Sequence, residues 1–196
     1  GARGRRMKRR QLLQGALPWA ATAFWPVLAQ AQAQTGAGAG AGAGAGTVSS
    51  TVAATFGRLP SPARVQRVFA AGAPAGVLVA ALAPGKLLGW PMQLSAPARK
   101  LLGPVPAALP HLGRLAGRGS TVSVETLLQL QPDVILDAGT VDATYLSSTR
   151  RVTEQTGLPT VLVQGRLAEH AAQLREVGQL LGVPERAALL AAHADA

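Results

Sequence analysis

The chain contains no cysteine, which removes disulfides, thiolate metal sites and cysteine nucleophiles together. An oxidising compartment does not require disulfides, so this absence leaves location open. Aromatic residues are scarce at 4 %, with one tyrosine and three tryptophans, too few for a base-stacking nucleic-acid platform. Acidic residues are also few, nine against nineteen basic, giving a formal charge of +10. Six of the basic residues lie between Arg3 and Arg10, however, and without them the balance is thirteen to nine, with only Arg99-Lys100 and Arg150-Arg151 adjacent. No nucleic-acid partner is expected. The three histidines, His111, His170 and His193, have no second ligand at helical spacing, which argues against capture of a bare metal ion. Paired acids and a nucleophile with its base are missing as well, so the chain is not expected to be an enzyme. Gly113-x-x-x-Gly117-x-Gly119-Ser120 lacks the lysine of a phosphate loop, and Gly72-x-x-x-Gly76 is not a dinucleotide fingerprint.

What is present begins with an export signal. Lys8-Arg9-Arg10 precedes an apolar run from Leu12 to Leu28 and the small residues Ala29-Gln30-Ala31, so residues 1–31 read as a signal peptide. Gln14, Pro18 and Pro26 interrupt the run, leaving it short of the roughly 20 clean apolar residues of a membrane span. Arg9-Arg10-Gln11-Leu12-Leu13-Gln14 resembles the twin-arginine export motif, with a general secretory signal as the alternative. Both routes lead to the periplasm. Residues 32–63 follow as a flexible linker, dominated by the Gly-Ala alternation from Gly36 to Gly46.

From residue 64, short apolar runs alternate with helical periods, the pattern of βαβ units. Strands are expected at Val65–Ala70, Lys86–Trp90, Val134–Leu136 and Thr160–Val163. Helices are expected at 75–82, 124–131, 143–155, 168–181 and 185–194, with Ser123 as an N-cap and Gly157 as a C-terminus. Met92 to Thr121 reads as a long irregular stretch. The fold class is α/β: a three-layer αβα arrangement around a mainly parallel four-stranded sheet. Ligands of such sheets collect at the carboxyl ends of strands.

Arg67-Val68-Phe69-Ala70-Ala71-Gly72, Lys86-Leu87-Leu88-Gly89-Trp90 and above all Val124-Glu125-Thr126-Leu127-Leu128-Gln129-Leu130-Gln131-Pro132-Asp133-Val134-Ile135 resemble the N-terminal lobe of the periplasmic siderophore, haem and cobalamin binding proteins of ABC importers. The resemblance implies the first lobe of a two-lobe, helical-backbone binding protein: residues 64–182 form that lobe, residues 183–196 begin the inter-lobe helix, and the second lobe is absent, as in a truncated chain. It also implies a monomer that carries an iron complex or related chelate and docks on a permease in the inner membrane. Metal would arrive already chelated, with no resident cofactor or protein metal site. The alternatives are a truncated α/β cofactor-binding or enzymatic domain, and a tethered sensory domain.

The candidate ligand-binding residues lie in the strand-end loops. Pro74 opens the helix after the first strand, and Trp90 ends the second with a stacking surface. Arg114 and Arg118 offer guanidinium groups to an anionic chelate. Thr140 and Asp142 offer polar contacts, Asp142 being equally suited to an N-cap, and Tyr145 offers a hydroxyl or a phenolate. By the resemblance, Glu125 falls on the acidic position presented to the permease; the plainer reading is a first-turn glutamate that complements the helix dipole.

Overall fold

Three runs of β-branched and apolar residues form adjacent parallel strands of the sheet, and a fourth, edge strand comes from a segment expected to be linker. The computed structural model describes residues 50–115 and 120–195. Strands β1 (Val52–Phe56), β2 (Val68–Ala70), β3 (Val134–Gly139) and β4 (Thr160–Gln164) lie in the order β1-β4-β3-β2. β3 runs parallel to both β2 and β4, whereas β1 is antiparallel to β4.

Successive side chains of a strand point to opposite faces, and both faces here are covered. Val68, Val134, Leu136, Val161 and Val163 pack beneath α1 (Ala73–Leu82), α6 (His170–Leu180) and α7 (Pro184–Ala194). Phe69, Ala71 and Ile135 face the opposite layer, which includes Leu127 and Leu130 of α4 (Val124–Leu130) and Val152 of α5 (Ala143–Thr156). The result is a three-layer αβα lobe with a mainly parallel sheet, as the alternation of runs implies.

The signature segment has a direct structural explanation. Ser123 caps α4 by accepting from the Thr126 amide at 3.1 Å, and Pro132 prevents the helix from continuing. Between them Gln131 takes a left-handed conformation, φ 44°, unfavourable for a residue with a Cβ. The guanidinium of Arg67 holds this end in place by donating to the carbonyls of Leu130 (2.6 Å) and Gln131 (3.1 Å). Asp133 then accepts the amides of Gln66 and Arg67 at 2.7 and 2.8 Å, which seats the start of β2 beside β3. On the opposite side of the sheet α6 meets α7 at Gly178, where an added Cβ would lie 2.1 Å from the Cβ of Ala187.

Three expectations are corrected. The linker does not extend to residue 63, because Val52–Phe56 is a strand and Thr51 is fully buried beside it. One carboxylate oxygen of Glu176 on α6 fastens this segment by accepting from the Thr51 amide (2.9 Å), the Thr51 hydroxyl (2.8 Å) and the Val52 amide (3.2 Å). Lys86–Trp90 is not a strand: Pro84–Lys86 forms a 3-10 turn, and only single bridges join Leu87 to Val68 and Trp90 to His111. The stretch from Met92 to Thr121 is not wholly irregular, since α2 (Ala96–Leu101) and α3 (Pro104–Ala108) form within it. The expected signal peptide, the Gly-Ala tract and Arg118 lie outside the described residues.

Candidate ligand-binding cleft

Strands β2 and β3 run in the same direction, so their carboxyl ends open on one edge of the lobe. Gly72 and Pro74 follow β2; Gly139 and Asp142 follow β3. Between these turns Pro74, Pro91, Met92, Arg114, Asp137 and Tyr145 line a cleft of about 370 Å³. Two prolines and a thioether supply an apolar wall, while the guanidinium, the phenol and the carboxyl supply polar contacts. A Cβ at Gly72 would lie 3.0 Å from Oδ1 of Asp137, a tight contact that glycine avoids.

Asp137 is the chemically distinctive residue. It sits within the otherwise apolar strand β3, two residues before its end, is only 3 % exposed, and accepts the Ala138 amide at 2.9 Å. Its other oxygen accepts the hydroxyl of Tyr145, one turn into α5. Burial raises the Asp137 pKa, and the two hydrogen bonds oppose that rise. Burial, then the bond to Asp137 and the neighbouring aspartate charges, pushes the Tyr145 phenol well above its ordinary range. Without a bound ligand the phenol keeps its proton and meets the cleft as a hydrogen-bonding group.

Of the sequence-derived candidates, Pro74, Arg114 and Tyr145 come together in this cleft. Asp142 caps α5, accepting the Tyr145 amide at 2.7 Å, and faces a second cavity on the far side of the Asp137–Tyr145 pair. Thr140 is exposed on the turn between β3 and α5. Trp90 departs from expectation: it is 2 % exposed, and its indole N–H donates to the Pro106 carbonyl at 2.7 Å. It belongs to the core and backs the wall that Pro91 and Met92 present. Glu125 is exposed on the first turn of α4, where its own amide and the Ser123 hydroxyl lower its pKa. Asp137 was not among the candidates, although a carboxylate closing the run Val134-Ile135-Leu136 was a readable signal.

Residues 110–196, which contain α4, β3, α5, β4, α6 and α7, match the family described as periplasmic binding protein. No curated protein matches the chain. Among solved structures, an ABC transporter solute binding protein from Sulfurospirillum deleyianum aligns with 68 % of this chain and 42 % of its own length, at TM-score 0.59 and 21 % identity. An ABC transporter substrate-binding protein from Listeria monocytogenes aligns with 66 % of this chain and 45 % of its own, at TM-score 0.50 and 17 % identity. The TroA-like periplasmic binding protein FepB from Veillonella parvula aligns with 65 % and 41 %, at TM-score 0.49 and 25 % identity. The chain thus spans less than half the length of each. Residues 110–196 thus resemble the periplasmic binding proteins in sequence, and the described lobe shares its fold with the solute binding protein from Sulfurospirillum deleyianum.

Proposed function

We propose that the chain is the ligand-binding lobe of the exported substrate-binding component of an ABC importer, and that its cargo is a metal chelate: a ferric siderophore, haem or a related complex such as cobalamin. The observation that carries this reading is the strand-end cleft, where Arg114 and Tyr145 stand opposite the apolar surfaces of Pro74, Pro91 and Met92. A chelate presents an organic surface with oxygen acceptors at its rim, and such a ligand needs a guanidinium, a phenolic donor and apolar walls. Sequence similarity to periplasmic binding proteins and the fold shared with solute-binding proteins support the transport role. Capture then rests on shape and charge without covalent chemistry.

Under this reading export delivers the lobe to the periplasm, and Glu125 faces the permease from the outer surface of α4. The test is calorimetric titration of the chain with a ferric hydroxamate, a ferric catecholate, haemin and cobalamin. Binding of one class, weakened by Arg114→Ala, supports the assignment, and binding of none overturns it. Glu125→Lys should impair uptake in cells without altering that affinity; unchanged uptake would remove the docking role.

A further inference from the structure

The chain has no cysteine and two methionines, of which Met92 alone lies among the described residues. Its thioether is the one readily oxidised sulfur among those residues, and it stands in the wall of the strand-end cleft. Exposure decides whether an oxidant can reach it: Met92 is 36 % exposed, whereas its neighbours Trp90 and Pro91 are buried. Those neighbours also hold the wall still. The Trp90 amide donates to the Pro110 carbonyl at 2.8 Å, and the Trp90 carbonyl accepts the Leu112 amide at 2.9 Å. Pro91 lies so close to α1 that a Cβ at Gly76 would come within 3.0 Å of its ring. Met92 is thus carried by a fixed backbone, and a change in its side chain is felt in the cleft rather than absorbed by a shift of the chain.

We infer that Met92 is a site of reversible oxidation that governs capture: hydrogen peroxide converts its thioether to the sulfoxide, and the sulfoxide weakens binding of the cargo. A sulfur lone pair attacks one peroxide oxygen, and the S–O bond forms as the O–O bond breaks. The hydroxide released takes the proton from the sulfur-bound oxygen and leaves as water, so sulfur is oxidised by two electrons and the peroxide is reduced. An apolar contact in the wall becomes a polar one whose oxygen accepts hydrogen bonds. Arg114 lines the same cleft, and a guanidinium carries only donors, so the sulfoxide oxygen competes there with the oxygen acceptors of the cargo. The effect on capture rests on the proposed function; the modification at Met92 does not.

The experiment treats the full chain with dilute hydrogen peroxide. Peptide mapping by mass spectrometry should find one added oxygen on the peptide that carries Met92. Calorimetric titration with a ferric hydroxamate, a ferric catecholate, haemin and cobalamin should then show the class bound by the untreated chain held about tenfold or more weakly, the worth of one charge-assisted hydrogen bond lost to competition. Methionine sulfoxide reductases should restore the original affinity. Met92→Leu, whatever its own starting affinity, should bind equally well before and after peroxide. No oxygen gained at Met92, an affinity unchanged by its oxidation, or an equal loss in Met92→Leu would each overturn the inference. Binding of none of the four probes by the untreated chain would instead overturn the chelate reading and the effect on capture with it, while oxygen uptake at Met92 is still read by mass.

Discussion

The hydroxyl of Tyr145 donates to the carboxylate of Asp137, so the first turn of α5 is tied to the end of β3 at the point where the cleft and the second cavity meet. The bond fixes two elements that otherwise touch little at this level.

Tyr145→Phe should destabilise the lobe by about 1–3 kcal/mol, the usual penalty for a buried acceptor that loses its donor. Urea unfolding at neutral pH measures it: the midpoint should fall with the slope unchanged. A midpoint equal to that of the parent would show that the carboxyl finds another partner.

The pH dependence of stability should carry the mark of Asp137. Burial raises its folded pKa above the ordinary 3.8, so the native state holds the proton more tightly than the unfolded chain. That contribution is fully present below the unfolded value and is lost as pH rises through the folded one. The hydrogen-bond partner of Asp137, Tyr145, stays protonated as pH rises through this range. Asp137→Asn should therefore flatten the fall in urea midpoint as pH rises above the ordinary carboxylate value of 3.8. An identical slope in parent and variant would assign that fall to other groups.

Glu176→Ala should detach β1 selectively. Four donors converge on one carboxylate oxygen of Glu176: the Ser50 and Thr51 hydroxyls and the Thr51 and Val52 amides. Hydrogen exchange should show lost protection at Thr51 and Val52 and along the facing edge of β4, while β2 and β3 keep theirs. Uniform loss across all four strands would mean that β1 unfolds with the whole lobe.

Gly178→Ala tests the crossing of α6 and α7. With Ala187 2.1 Å from the new methyl, the helices must separate, and overpacking of this kind costs about 1–3 kcal/mol. Thermal unfolding reads the loss, and pairing the change with Ala187→Gly should restore the midpoint.

Much of this fold is legible from local chemistry. The caps at Ser123 and Asp142, the glycine stop at Gly157 and the runs at Val134 and Thr160 are short-range signals, and each appears where the residues place it. The errors arise where tertiary partners decide. Val52–Phe56 is apolar and β-branched enough to be a strand, but its commitment comes from β4 and from Glu176, more than a hundred residues away. Lys86–Trp90 has strand-like composition, yet a turn precedes it and Trp90 is drawn inward by the Pro106 carbonyl. Pro74, Arg114 and Tyr145 could be assigned to one edge because parallel strands dictate it. Asp137 escaped because an acid within a buried run has meaning only through the tyrosine that meets it.

The Arg67, Pro132 and Asp133 arrangement bears on how relatives are sorted by cargo. These residues fasten α4 to β2 and β3 on the side of the sheet away from the cleft turns, and none of them lines the cleft. A search pattern centred on that junction will collect proteins that share a scaffold whatever they carry. Under the proposed function, specificity would instead be read from the residues after β2 and β3, where two lobes of identical framework are free to differ.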